Sequence, residues 1–245
     1  ERDARAFRDG LRCFFEEGRV LASVSHPNVV QVLNFFRAND TAYMVMRLEH
    51  GATLKQRLQQ ASAPLPEAWL RRTVGQLLNG LREVHARKLL HLDIKPANIH
   101  LREDAAPVLI DFGASRRMLC AEDPSLRPIF TLGFAAPEVQ SDRAKLGPWS
   151  DIYSVGATLY ACMLLEPPPP AAERLAKDRC VPAAKAGAGK YSAALLELVD
   201  WCLRLDHLQR PQSVLALQKA LLAHGAVNTQ VPGDAKAVLR WIMGA

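Results

Sequence analysis

Apolar side chains recur at Phe7, Leu11, Phe14, Phe15, Leu21 and Val24 with helical spacing, which predicts a helix over residues 4–24. That helix must stop before Pro27, because proline removes a backbone donor and clashes with the preceding turn. Two β-rich runs follow, residues 29–36 and 41–48, and the Ala38-Asn39-Asp40 sequence between them suits a hairpin turn. A short helix is expected over 53–60. Beyond Pro64 and Pro66 lies the clearest amphipathic pattern of the chain. Leu70, Val74, Leu77, Leu78, Leu81 and Val84 fall on one stripe that ends near Arg87, so this helix must bury one face against another helix.

The pattern changes from Leu89 to Phe112, where short apolar pieces alternate with polar turns, and strands are predicted at 89–90, 99–101 and 108–110. Residues 113–137 hold Gly, Pro and Ser without sustained periodicity, the mark of a long loop kept for function. Helices resume at 152–165, break at the tetraproline of 167–170, and return at 193–205 and 213–224. Residues 182–190, rich in Ala, Lys and Gly, read as a surface loop, and residues 225–245 as a linker or tail. No internal repeat is evident.

Composition narrows the class. A chain of 245 residues that is 49% hydrophobic and 23% charged can bury a sizeable core. The net charge of +6 would favour anionic partners, but the basic residues are scattered, with no run longer than pairs such as Arg71-Arg72 and no interleaved aromatic platform, so no nucleic-acid partner is expected. Five cysteines at neither metal nor redox spacing fit a reducing cytoplasm. The longest apolar stretch, 155–165, is about half of what a bilayer-spanning helix needs, so no membrane segment is expected within the chain.

The chemistry concentrates in His91-Leu92-Asp93-Ile94-Lys95-Pro96-Ala97-Asn98, followed by Asp111-Phe112-Gly113 and then Ala136-Pro137-Glu138. Each piece alone has a plain reading as a loop carboxylate or a turn. Three motifs in this order and spacing resemble the protein kinase family, in particular bacterial (Hanks-type) serine/threonine kinases, and the resemblance covers residues 14–222. It implies an α+β, two-lobe fold, with 1–48 as a partial small lobe, 49–224 as a mostly helical large lobe and 225–245 as the tail. It also implies ATP and Mg2+ as cofactors and a protein substrate with a Ser/Thr acceptor.

By the family pattern, Asp93 orients the acceptor hydroxyl and takes its proton, Lys95 neutralises the γ-phosphate, and Asn98 and Asp111 hold Mg2+. Thr131 matches the threonine that bridges the catalytic aspartate and lysine in serine/threonine kinases. Glu138 and Arg210 match a structural ion pair, and Asp151 matches the residue that anchors the catalytic-loop backbone. Glu17, nine residues before His26, matches the glutamate of the regulatory helix. Met46 matches the residue guarding the adenine pocket, with Arg47, Leu48 and Glu49 as the hinge. Leu21, Val32, His91 and Phe112 match a stack of side chains joining the lobes, where plain core packing is an equally good account. His100 stands where an apolar residue usually lies beneath adenine, and a satisfied strand histidine is the expected explanation.

Two departures qualify the resemblance. No Gly-rich phosphate loop and no strand lysine precede Glu17; the first lysine is Lys55. Because the sequence opens abruptly on Glu1-Arg2-Asp3, a truncated catalytic domain of weak or no activity is expected, from a parent protein with the option of a membrane tether elsewhere. Leu92 replaces the arginine that clamps a phosphorylated activation loop in many kinases, so activity should not depend on phosphorylation of Ser115 or Ser125. The competing readings are a non-catalytic pseudokinase or scaffold, and, against Thr131, Glu138 and Arg210, a small-molecule kinase.

Overall fold

The computed structural model describes residues 18–19, 21–39, 41–112 and 131–223, with Arg143 described by its backbone only. Most of the first predicted helix, Glu17, Ser115, Ser125 and the predicted tail lie outside the described residues.

The expected hairpin is formed by β1 (Val32–Ala38) and β2 (Thr41–Met46), antiparallel, in register from Ala38 opposite Thr41 to Asn34 opposite Val45, with a bulge before Val32 pairs with Met46. Asn39, at the turn, has a φ of 50°, a left-handed conformation that asparagine tolerates better than most residues. Phe36 stacks on Tyr43 with ring centroids 5.4 Å apart. Leu33, Phe36, Tyr43, Val45 and Met46 are all exposed, whereas Val29, Val30 and Val32 are buried and the paired Phe35 and Met44 are half-buried against the core, so the hairpin is anchored at its base and keeps one face wet.

A second sheet has the order β3-β4-β5, with β3 (Gly51–Thr53), β4 (Ile99–Arg102) and β5 (Pro107–Leu109) antiparallel throughout. The strands predicted at 99–101 and 108–110 are present within a residue, while 89–90 is not a strand. β3 was not expected; three residues are too few to show a period. Gly51 has a φ of 135°, and a Cβ there would collide with the Leu101 carbonyl, so the strand start requires glycine. Thr53 then opens the Leu54–Gln60 helix through a capping box: its hydroxyl accepts from the Gln56 N–H at 3.2 Å, and the Gln56 side chain accepts from the Thr53 N–H at 2.8 Å.

The Glu67–Ala86 helix buries the predicted stripe and packs on β5 and on the Pro148–Leu164 and Val214–Ala223 helices. The Pro148–Leu164 helix begins earlier than the apolar pattern suggests, because Pro148 occupies the first turn, where a missing N–H costs nothing. It is buried almost all round, from Ser150 to Met163, and packs on the Ala193–Cys202 helix. Two short helices had no periodic signal, Ala171–Ala176 after the tetraproline and Ala183–Ala186 inside the expected loop. The second is held by the Asp200 carboxylate, which accepts from the N–H groups of Ala183 (2.6 Å) and Ala184 (3.0 Å). Among the described residues, no helix is long and apolar enough to cross a membrane.

Segment 28–30 ties the first half of the chain to the second sheet. Leu109 N–H donates to the Asn28 carbonyl (2.9 Å), Val30 N–H to the Leu109 carbonyl (2.9 Å), and Asn28 Nδ2 to the Pro107 carbonyl (2.7 Å). The Glu67–Ala86 helix approaches this segment so closely that a Cβ on Gly80 would lie 2.8 Å from the Asn28 carbonyl oxygen. Gly80→Ala improves helix propensity but forces backbone apart, so chemical denaturation should show a net loss of about 1–3 kcal/mol; an unchanged midpoint would contradict this contact.

Candidate active site

The segment from His91 to Lys95 has no periodic structure of its own and Pro96–Asn98 forms only a single 3-10 turn, so the shape of the segment is imposed from outside. The buried Asp151 carboxylate, in the first turn of the Pro148–Leu164 helix, accepts from the His91 N–H (Oδ2, 2.8 Å) and the Leu92 N–H (Oδ1, 2.7 Å). Leu92 has a φ of 61°, a left-handed conformation that is strained for a branched residue. His85 Nε2 lies 2.7 Å from Asp151 Oδ2. Burial alone would raise the Asp151 carboxyl, but the hydrogen bond from His85, with the His91 N–H beside it, holds it below its ordinary value.

His91 carries the constraint one residue further. Its Nδ1 accepts from the Asp93 N–H (3.3 Å), which places the ring proton on Nε2, 3.2 Å from the Ile110 carbonyl that accepts it. Burial pushes the His91 pKa down, so the ring is neutral in this tautomer. The ring also packs on Phe112, with centroids 4.4 Å apart, and Leu21, Val32, His91 and Phe112 are all buried.

Asp93 is the hub of the polar cluster. Lys95 Nζ donates to Asp93 Oδ2 (2.7 Å) and to Thr131 Oγ1 (2.6 Å), and Thr131 Oγ1 donates to Asp93 Oδ1 (3.2 Å). Asn98 Nδ2 donates to both the Asp93 backbone carbonyl (2.9 Å) and Oδ2 (2.8 Å). Asp93 and Lys95 remain partly accessible, at 14% and 21% of their side chains, so the cluster is open to a substrate. Because Asn98 donates through Nδ2, its Oδ1 is left as an acceptor. Ile110 N–H bonds the Asn98 carbonyl at 3.0 Å, and Asp111 is the next residue along the chain. Asp111 is exposed and has a φ of 62°. Among the described residues no three His, Cys, Asp or Glu side chains converge. An amide oxygen on Asn98 and a carboxylate on Asp111 are hard oxygen donors of the type that suits Mg2+, which keeps waters and substrate oxygens in its shell.

The predicted hinge follows β2. Met46 ends that strand and is exposed, and Leu48 is the most exposed large apolar residue described, at 76%. Arg47 N–H is already bonded to the Gln31 carbonyl (2.8 Å). The Glu49 side chain is engaged by Arg102 in a bidentate pair (2.6 and 3.0 Å), which keeps its carboxyl below the usual range. His100 lies on β4 between Thr53 and Val108, and its Nε2 is buried with no hydrogen-bond partner. The expectation of a satisfied strand histidine is therefore corrected at this nitrogen, to which no neighbouring group bonds.

Thr131 is positioned from the other side. Residues 131–138 lead into the Pro137–Ser141 helix, where Glu138 is buried against Arg210 at 2.7 and 3.0 Å. Arg210 also donates to the carbonyls of Arg204, Leu205 and Trp149 and lies over the Tyr153 ring, while Ser150 donates to Glu138. Gly133, with a φ of 85°, sits where a Cβ would meet the Pro168 carbonyl at 2.9 Å, so the tetraproline braces this segment. Two contributors escaped the sequence reading, His85 and Arg102. The available signal for His85 was its place one turn beyond Leu81 on the buried stripe.

With this geometry in view, the chain matches the protein kinase domain over residues 3–222. The chain belongs to the protein kinase family. It is 32% identical over 240 residues to the serine/threonine-protein kinase pkn2 of Myxococcus xanthus, covering 90% of this chain and 28% of that protein. It is 34% identical over 149 residues to the hormonally up-regulated neu tumor-associated kinase of Mus musculus, covering 60% of this chain and 21% of that one, so the chain spans well under a third of the length of these curated relatives. Among solved structures, the apo form of PpkA-294 superposes with a TM-score of 0.78 at 36% identity, covering 90% of this chain and 78% of that chain. The PknI kinase domain of Mycobacterium tuberculosis, at 23% identity and a TM-score of 0.69, supports the fold. The chain thus has the α+β protein-kinase fold, with bacterial serine/threonine kinases among its relatives.

Two outcomes test the scaffold of the site. Glu138→Ala leaves the Arg210 guanidinium buried without its partner and should cost about 3–5 kcal/mol in chemical denaturation. The folded Asp151 carboxyl titrates below its ordinary value of 3.8, so its contribution is present above that value and is lost as pH falls through the lower folded value. Stability measured from about pH 5 down to 1 should fall less steeply in Asp151→Asn than in the parent chain, and equal slopes would remove Asp151 as the acid-sensitive group.

Proposed function

We propose that this domain transfers the γ-phosphate of ATP to serine or threonine hydroxyls of a protein, with Mg2+. The observation that supports this most directly is the hydrogen-bonded set of Asp93, Lys95, Asn98 and Thr131, drawn from two segments far apart in sequence, with Asp111 next along the chain from Ile110, which bonds Asn98. Phosphoryl transfer requires positioning and charge compensation more than covalent chemistry, and this set supplies both. Asp93, held by Asn98, Lys95 and the His91 ring, orients the acceptor hydroxyl and receives its proton. Lys95 lies 2.7 Å from that carboxylate and presents its charge to the migrating phosphoryl group. Asn98 Oδ1 and the Asp111 carboxylate would hold Mg2+, which offsets charge on the phosphates when bound. Thr131 accepts from Lys95 and donates to Asp93, fixing the two relative to each other.

The base of the nucleotide is assigned to the linker of Met46, Arg47, Leu48 and Glu49. Since Arg47 N–H is bonded to Gln31 and the Glu49 side chain to Arg102, recognition there falls to the remaining backbone groups, with His100 beneath the base. Glu17 keeps its proposed role in the regulatory helix. In this reading residues 1–48 form the small-lobe part and 49–224 the large lobe, and a cytoplasmic setting follows from the cysteine usage. The test is phosphate transfer from labelled ATP to Ser/Thr peptides by the full-length protein. Asp93→Asn should lower kcat by about 10²–10⁴-fold with nucleotide affinity nearly unchanged. Nucleotide binding without transfer in the parent protein would favour a scaffold, and transfer to metabolites rather than peptides would favour a small-molecule kinase.

A further inference from the structure

A cavity of about 180 Å³ opens between the loop that precedes β1, the linker that follows β2 and the end of β4. Ser25, His26, Gln31, Arg47, Glu49 and Arg102 supply its polar lining, and none of Asp93, Lys95, Asn98 or Asp111 reaches it. It is smaller than the roughly 300–1,000 Å³ of sites for drug-sized ligands, so it excludes a nucleotide and fits a small ion or ester with its waters.

Its hydrogen-bonding inventory is one-sided. Among the described residues Glu49 is the only carboxylate lining it, and Arg102 holds both of its oxygens. Arg102 uses one further N–H on the Pro27 carbonyl (2.8 Å), so of the five guanidinium donors two remain. Arg47 has no ion-pair partner among the described residues, and its five donors are unassigned. His26 accepts from the Asn28 N–H through Nδ1 at 3.1 Å, which leaves Nε2–H as a donor in the neutral ring. With Glu49 neutralised by Arg102, Arg47 leaves the lining with a net positive charge. A pocket with surplus donors and a surplus cation is complementary to an oxyanion, and a guanidinium binds a phosphate through two parallel hydrogen bonds.

We propose that this cavity is a binding site for a small phosphate-bearing anion, separate from the catalytic cluster, with Arg47 as the principal contact and Arg102 and His26 as supporting donors. The phosphate could belong to a free ion or metabolite or to a phosphorylated protein side chain. The proposal does not depend on the transfer reaction, so it stands or falls without it.

Inorganic phosphate and a short phosphoserine peptide, each titrated at constant ionic strength against chloride, separate the two sources. Amide and side-chain NMR shifts on the full-length protein provide the readout. Saturable shifts at residues 25–31, 47 and 102 are expected, with the tighter of the two probes naming the source. Arg47→Gln should weaken binding at least about tenfold, as loss of a charge-assisted contact does, while Lys95→Ala leaves it intact. Shifts confined to residues 93–98, shifts reproduced by chloride, or binding unchanged in Arg47→Gln would each overturn the proposal. Because Arg47 is an exposed surface side chain, its glutamine variant is not expected to unfold, and an unchanged thermal midpoint verifies that a loss of binding is local.

Discussion

The constraint on which the site depends is a single buried carboxylate. Asp151 stands in the first turn of a helix buried almost all round, and its two oxygens take the N–H groups of two consecutive loop residues, His91 and Leu92. Those residues would otherwise relax, because Leu92 is held at a positive φ that costs of order 1–3 kcal/mol for a residue of its kind. Strain at Leu92 is therefore balanced by hydrogen bonds to an ionised acceptor in a low-dielectric setting, where they are strongest. Everything downstream inherits this arrangement: the His91 tautomer, the Asp93 backbone that His91 Nδ1 fixes, and the Asn98 amide that grips Asp93.

Two kinds of charged pair in the structure show how burial separates scaffold from chemistry. Glu138 and Arg210 are sealed, with every strong donor of the guanidinium directed at a carboxylate or a backbone carbonyl, and nothing else can reach them. Asp93 and Lys95 make a contact of the same length, 2.7 Å, but remain open to solvent. The first arrangement is rigid and would be ruined by exchange of partners. The second can change partners at smaller cost, because its exposed ends are already solvated. The buried pair fixes the segment that delivers Thr131, so the rigid pair is what makes the exchangeable one geometrically reliable.

The Glu67–Ala86 helix was legible because one face repeats. Leu70, Val74, Leu77, Leu78, Leu81 and Val84 announce a stripe, and all six are buried. The polar cluster around Asp93 was legible for a different reason: Asp93, Lys95 and Asn98 sit within one turn-rich segment, so a motif stands in for the missing period. What stayed hidden had neither signal. Gly51–Thr53 is too short for alternation, and the Ala171–Ala176 and Ala183–Ala186 helices follow prolines in low-contrast sequence and are fixed by tertiary partners such as Asp200. His85 and Arg102 act through residues 66 and 53 positions away, Asp151 and Glu49, and pairings of that range leave no trace in local pattern.

Arg102 shows how such a distant pairing changes the meaning of a segment. Residues 46–49 read as a linker whose side chains tell little, yet Arg102 holds the Glu49 carboxylate and the Pro27 carbonyl at once, joining the linker to the loop before β1. Segment 28–30 is in turn bonded to β5, directly beside Ile110, whose N–H meets Asn98 and whose carbonyl meets His91. The linker, the loop and the segment from His91 to Asn98 are thus connected by short hydrogen bonds through one small sheet. A displacement of the linker cannot be absorbed locally, because Gly80 leaves no slack against Asn28. The physical consequence is that geometry at Asp93 and geometry at Glu49 are set together, although the residues that set them share no motif.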